Sequence, residues 1–290
     1  MKRILLLFGV VVLLVSCNSN KPQKEKVSDI ITVSILPQKT FIEKIAGDDF
    51  KVNVLIPPGS SPAVYTLLPS QLKEIASSAI WFRIGYIGFE YSWAEKIIQA
   101  NKLMKVVDLS EGLDLVADKV EQHGDHVHMQ GVDPHIWLSP VLVKQMAKRI
   151  FDELSILKPN KIAEYKGNYL SFVKEIDQLN IEIKNKLSDF EGRKIIVFHP
   201  SLTYYARDYG LDQFSLETGG KEPTPQQLTK IVDLAKTENI KVIYIQREFD
   251  REHARVFAEE IDGKIVQVSP LDPAWVDNLR QMTNIFVDNF

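Results

Sequence analysis

The feature that most limits the fold of this 290-residue chain is one long helical period at its middle, with strands and helices alternating on both sides of it. From about Asn160 to Asp189 the apolar residues Ile162, Tyr165, Tyr169, Phe172, Val173, Ile176, Leu179, Ile183 and Leu187 recur at three- and four-residue steps. That spacing makes a helix with one buried stripe. Some thirty residues of helix span about 45 Å, longer than one small lobe needs. The stretch therefore reads as a rigid strut between two lobes.

Before the strut, β-branched runs at 30–36, 50–56, 79–84 and 105–109 alternate with helical patterns at 39–46, 69–77 and 89–100, and a further helix runs over 140–157. After it, strands at 194–198, 214–216, 242–245 and 265–268 alternate with helices at 203–209, 225–238, 251–261 and 275–288. Alternation of this kind builds parallel βαβ units, with ligands expected beyond the carboxyl ends of the strands. The expected fold class is α/β, with two similar (βα)4-type lobes of parallel sheet joined by one long backbone helix. The lobes are placed at 30–158 and 190–290, with the linking helix at 159–189.

The first seventeen residues differ from the rest. Lys2 and Arg3 precede an unbroken apolar run from Ile4 to Val15, then Ser16 and Cys17. A charged start, a short apolar core and a small residue make a secretory signal, too short to span a bilayer. Leu14-Val15-Ser16-Cys17 resembles the lipobox of bacterial lipoproteins, which implies cleavage before Cys17 and its acylation. Residues 18–29, rich in Asn, Ser, Lys, Gln and Glu, then form a polar tether. Because Cys17 is the single cysteine, an intrachain disulfide and a sulfur-built metal site are both excluded. Net charge is −3 with both signs interspersed, so nucleic acid is not an expected partner.

Four of the six histidines, His123, His126, His128 and His135, lie within thirteen residues, a composition suited to catching a borderline metal ion but shared by some polar surface loops. His199 follows the first strand of the second half, much as His135 follows the last strand of the first half. Histidines from two lobes, each beyond a strand end, could meet in the cleft between them.

Several segments together carry a family resemblance. They are the lipobox, Pro57-Pro58-Gly59 with Pro62 and Pro69-Ser70, Phe82-Arg83-Ile84-Gly85 with Glu90, the His-rich loop, Asp133-Pro134-His135-Ile136-Trp137-Leu138-Ser139-Pro140, Val197-Phe198-His199, and Gly220-Lys221-Glu222-Pro223. In this order they resemble the zinc and manganese solute-binding lipoproteins of ABC transporters (cluster A-I, ZnuA/TroA-like). The resemblance implies little hinge motion and a divalent ion, Zn2+ with Mn2+ as the alternative, held between the lobes for an ABC permease and its ATPase. It also implies a cell-envelope location, lipid-anchored and facing the periplasm or exterior. His135 and His199 match two of the family's histidine ligands. Ala63 stands where relatives carry a histidine, and Ser269 where they carry an aspartate. Asp272, Glu222 and the loop histidines His123, His126 and His128 are candidates to complete the coordination; each has a plainer reading, Asp272 as a helix cap and Glu222 as the partner of a lysine. No His-Glu-x-x-His, Gly-x-Ser-x-Gly or phosphate-loop pattern occurs, so an enzyme is not expected. The alternative is a member whose metal site is degenerate and which binds another solute or acts as an adhesive or structural envelope lipoprotein.

Overall fold

The structure is a computed structural model that describes residues 28–117, 131–217 and 223–290. The leader with Cys17, the histidines at 123, 126 and 128, and Glu222 lie outside the described residues.

In the first lobe β1 (Ile30–Val33), α1 (Leu36–Ala46), β2 (Lys51–Val54), α2 (Pro69–Ile75), β3 (Ile80–Arg83), α3 (Gly88–Ala100) and β4 (Lys105–Asp108) alternate. Their sheet has the order β2-β1-β3-β4 and is parallel throughout, with Ile31 paired to Val52 on one side and Ile80 on the other. Two helices follow, α4 (Pro140–Leu157) and α5 (Ile162–Leu187). The second lobe is β5 (Lys194–Val197), α6 (Thr203–Tyr209), β6 (Asp212–Ser215), α7 (Pro225–Thr237), β7 (Val242–Gln246), α8 (Glu252–Glu260), β8 (Lys264–Val268) and α9 (Trp275–Val287). Its parallel sheet repeats the first order as β6-β5-β7-β8. The strand order reverses between β1 and β3 and between β5 and β7. In open α/β sheets such switch points open a crevice at the strands' carboxyl ends.

Local chemistry explains the helix starts. Pro69, Pro140 and Pro225 each occupy a first helical position, where their missing N–H costs nothing. Ser139 Oγ accepts from Leu142 N–H at the head of α4, and Thr224 Oγ1 caps α7 by accepting from Gln227 N–H. Some limits differ from the sequence reading. The first strand ends at Val33 because Pro37 opens α1 instead of closing β1, and β6, at 212–215, begins two residues earlier than expected. The strut is a 26-residue helix, about 39 Å long, flanked by 3₁₀ turns at Pro159–Lys161 and Ser188–Phe190.

Along α5, Tyr165, Phe172, Ile176, Leu179, Ile183 and Leu187 are buried, against α1 and α4 of the first lobe and against α9. The C-terminal helix thus reaches back across the molecule. Trp275 at its start meets Phe41 of α1 edge-on, with ring centroids 5.3 Å apart. Two fully buried indoles then tie the lobes reciprocally: Trp275 Nε1 donates to the Trp137 carbonyl at 2.7 Å, and Trp137 Nε1 donates to the Pro270 carbonyl at 2.9 Å. One apolar cluster runs through both lobes as a result. A contact of this kind fixes the floor of the cleft above it.

Candidate metal centre

His135 does not sit directly on a strand end. It follows a long excursion from β4 and occupies the residue before a 3₁₀ turn, Ile136–Leu138, that leads into α4. Asp133 sets its position. One carboxylate oxygen, Oδ1, accepts both the His135 backbone N–H at 2.8 Å and the ring Nδ1 at 2.9 Å. Tyr204 of α6 donates to the Asp133 carbonyl at 2.8 Å, tying this segment to the second lobe. Burial alone would push the Asp133 carboxyl up, but the charge and hydrogen bonds of His135 outweigh it and hold it below the usual carboxylate range. Asp133 is therefore an acceptor, and His135 carries its proton on Nδ1.

His199 lies two residues beyond β5, at the switch point of the second sheet. Gln246, the last residue of the neighbouring strand β7, donates through Nε2 to the His199 carbonyl and to Ser201 Oγ, both at 2.7 Å. Glu217, buried beyond β6, accepts from His199 Nδ1 at 3.0 Å. Phe249 stacks on the imidazole, with ring centroids 5.4 Å apart and planes 28° from parallel. The ring is held on one edge and on one face.

With both Nδ1 atoms bound to carboxylates, the two Nε2 atoms point at each other, 3.2 Å apart. Two neutral imidazoles so arranged present lone pair to lone pair, and only a shared proton or a cation between them relieves the repulsion. At Zn–N bond lengths of 2.0–2.1 Å and a tetrahedral angle, two ligand nitrogens stand about 3.3–3.4 Å apart. The observed separation is one edge of such a tetrahedron to within a few tenths of an ångström. A carboxylate behind each metal-binding imidazole is also the usual means of fixing its tautomer and raising its basicity.

The pair opens into a cavity of about 480 Å³ between the lobes, walled by Ala63 and Val64, Tyr86 and Tyr91, Trp137 and Phe249. Ala63 rests on the start of α3, where a Cβ on Gly88 would meet the Ala63 carbonyl oxygen at 2.8 Å. Glycine is required at 88 for this wall to pack so close. Ser269 and Asp272 line a second, neighbouring cavity of about 330 Å³, and Asp272 Oδ1 accepts from Ala274 N–H before α9. Among the described residues no group of three or more His, Cys, Asp or Glu side chains converges as a metal site. The structure thus joins His135 to His199, places Ala63 in the wall beside them, and sets Ser269 and Asp272 apart. Asp133 and Glu217 were not singled out from the sequence, although Asp133 stands two residues before His135 in the segment that carries the resemblance. Glu90, named there too, is a fully buried carboxylate that accepts from Ser34 Oγ, Ile84 N–H and Gly85 N–H and so shapes the β3–α3 turn behind Tyr86.

Comparison with known proteins gives a consistent set of relatives. The family described as ZnuA, zinc-uptake complex component A, periplasmic, matches residues 31–289. The zinc-binding lipoprotein AdcA of Streptococcus pneumoniae is 26% identical over 283 residues, covering 94% of this chain and 56% of its own length. This chain therefore spans little more than half of that relative. The high-affinity zinc uptake system protein ZnuA of Bacillus subtilis is 26% identical over 250 residues, covering 83% of this chain and 78% of that one. Among solved structures, a crystal structure of ZnuA superimposes with a TM-score of 0.83 at 36% identity, covering 90% of this chain and 98% of that one. The periplasmic zinc binding protein TroA of Treponema pallidum shares the fold, with a TM-score of 0.78 at 17% identity over 90% of this chain and 98% of its own.

Proposed function

This chain belongs to the ZnuA family of periplasmic zinc-uptake components, and on that premise we propose that it captures a divalent metal ion, zinc first and manganese second, for an ABC importer. It is a binding protein and not an enzyme. The observation that carries the reading is the His135–His199 pair, with Nε2 atoms 3.2 Å apart and each Nδ1 tied to a buried carboxylate. A dication entering the cleft takes up both Nε2 lone pairs and relieves their repulsion. Because Asp133 and Glu217 hold both rings in place, few torsions remain to be frozen on binding, and this preorganisation favours affinity.

Two imidazoles fill half of a tetrahedral site. The resemblance puts the other protein ligands at Ala63 and Ser269, which have no donor suited to zinc, so the remaining positions fall to other groups. Asp272, Glu222, and the histidines at 123, 126 and 128 are the sequence's candidates for them. The name of the AdcA relative, a zinc-binding lipoprotein, supports the further reading that Cys17 is acylated and anchors the chain outside the cytoplasmic membrane, where it meets a permease and its ATPase.

Uptake of radioactive zinc by cells lacking the gene, complemented with wild type, His135→Ala or Cys17→Ala, tests the proposal. Wild type restores uptake, His135→Ala does not, and Cys17→Ala releases the protein from the membrane fraction. Equal uptake with wild type and His135→Ala would refute the role of the pair.

A further inference from the structure

The metal-binding reading leaves a carboxylate position open, and a second side chain in the His135–His199 cavity is placed to fill it. The described lining of that cavity contains two carboxylates, Asp133 and Glu248. Asp133 is committed to His135. Glu248 is not: among the described residues its carboxylate meets its own backbone N–H and feels the Arg247 charge, but no ion pair and no hydrogen bond from another side chain engages it.

Glu248 sits on a turn held against His199 at both ends. Gln246, two residues before it, donates to the His199 carbonyl at 2.7 Å. Phe249, the residue after it, stacks on the His199 ring. Between them the Phe249 N–H donates to the Gln246 carbonyl at 3.1 Å, closing the turn. The sheet order explains why this turn faces the pair. β7 lies directly beside β5, which delivers His199, whereas β8, which ends just before Ser269, is one strand farther out. Ser269 and Asp272 line only the second cavity, while Glu248 lines both.

We infer that Glu248 supplies the carboxylate ligand of this metal centre, joining His135 and His199 on the bound dication from the end of β7. The ligand has moved one strand inward from the place the resemblance gives it at Ser269. Glu248 and the two imidazoles line the same cavity, and the inference has the carboxylate turn toward the two Nε2 atoms when the ion enters. Burial also pushes the Glu248 carboxyl above its usual range, against the pull of its own backbone N–H and of Arg247. A carboxylate poorly solvated in this way gains most from a nearby dication. Two imidazoles, one carboxylate and a water complete a tetrahedron of the exchangeable kind, which suits a protein that must release its cargo.

The inference rests on the metal-capture reading, and the test separates the two. Zinc affinity is measured by competition with a fluorescent chelator for the full mature chain and for Glu248→Gln, Glu248→Asp and His135→Ala. The visible absorption spectrum of each Co2+ form reports the ligand set. Glu248→Gln should lose about 100-fold or more in affinity, beyond the 10- to 100-fold typical of outer-shell partners, with a changed cobalt spectrum and unchanged melting of the metal-free protein. Glu248→Asp should recover part of the loss. If Glu248→Gln binds like wild type while His135→Ala does not bind, Glu248 is no ligand and the metal-capture reading stands. A weaker Glu248→Gln with a wild-type cobalt spectrum also overturns the inference, because the carboxylate then acts only as a distant charge. If wild type fails to bind zinc, or binds it regardless of His135→Ala, the metal-capture reading itself falls.

Discussion

Replacing Glu217 isolates what the buried carboxylates do for the imidazoles. Glu217 is 6% exposed, and its Oε2 lies 3.0 Å from His199 Nδ1 on the side of the ring away from the cleft. It cannot touch the bound ion, so any effect passes through His199. In Glu217→Gln the amide oxygen can still accept the Nδ1 proton, and what is lost is the charge that makes the imidazole more basic. Outer-shell substitutions cost 10- to 100-fold in metal affinity, so the lower end, about 10-fold or 1.4 kcal/mol, is expected here. Glu217→Ala removes the acceptor as well. The ring can then turn about its torsions or take the other tautomer, and the loss moves to about 100-fold, or 2.7 kcal/mol. Competition titration against a fluorescent zinc chelator resolves both steps, with denaturant melts of the metal-free proteins to show that the fold is retained. Wild-type affinity in Glu217→Ala, alongside loss of binding in His199→Ala, would refute the argument that the carboxylate orients the ligand.

Further predictions concern the frame around the pair. Burial raises Glu90 from 4.5 to about 7 against three donors, so the folded state holds this proton longer than the unfolded one; the contribution of Glu90 to stability is fully present below pH 4.5 and is lost as pH rises through 7, by about 3 kcal/mol in all. Denaturant melts of the metal-free protein should show that decline in wild type, and Glu90→Gln should flatten it; an unchanged slope in the variant would remove Glu90 as its source. Gly85→Ala should destabilise by about 2 kcal/mol or more, because its φ is +114° and a Cβ would lie 2.6 Å from Asp108 Oδ1; melting within a degree of wild type would contradict this. Trp275→Phe leaves the buried Trp137 carbonyl without its 2.7 Å donor and should cost about 2–3 kcal/mol in urea unfolding. A loss well under 1 kcal/mol would mean that the reciprocal indole bonds contribute little to joining the lobes.

Much of the frame was readable from periodicity. The helices at 140–157 and 203–209 lie where the sequence puts them, because Pro140 and the Gly210 that follows α6 punctuate them sharply. The boundary errors arise where one residue can serve two elements: Pro37 closes a strand as plausibly as it opens a helix. The meeting of His135 and His199 was expected from strand ends, which holds for His199 beyond β5, whereas His135 is delivered by the segment leading into the Ile136–Leu138 turn. Their carboxylate partners were harder to find. Asp133 is local to His135, but Glu217 lies eighteen residues from His199 on an adjacent strand end, and sequence spacing says nothing about which side chain turns toward Nδ1. The crossing of α9 to the first lobe was also invisible, since an amphipathic helix displays its apolar stripe without naming the surface that receives it.

The most direct test of the account is calorimetric titration of zinc into the mature chain lacking Cys17, in parallel with His135→Ala and with a variant in which His123, His126 and His128 are replaced together. The account predicts one tight site per chain in wild type, lost in His135→Ala. Binding that survives His135→Ala and disappears with the three loop histidines would contradict it, because the ion would then be held outside the cleft.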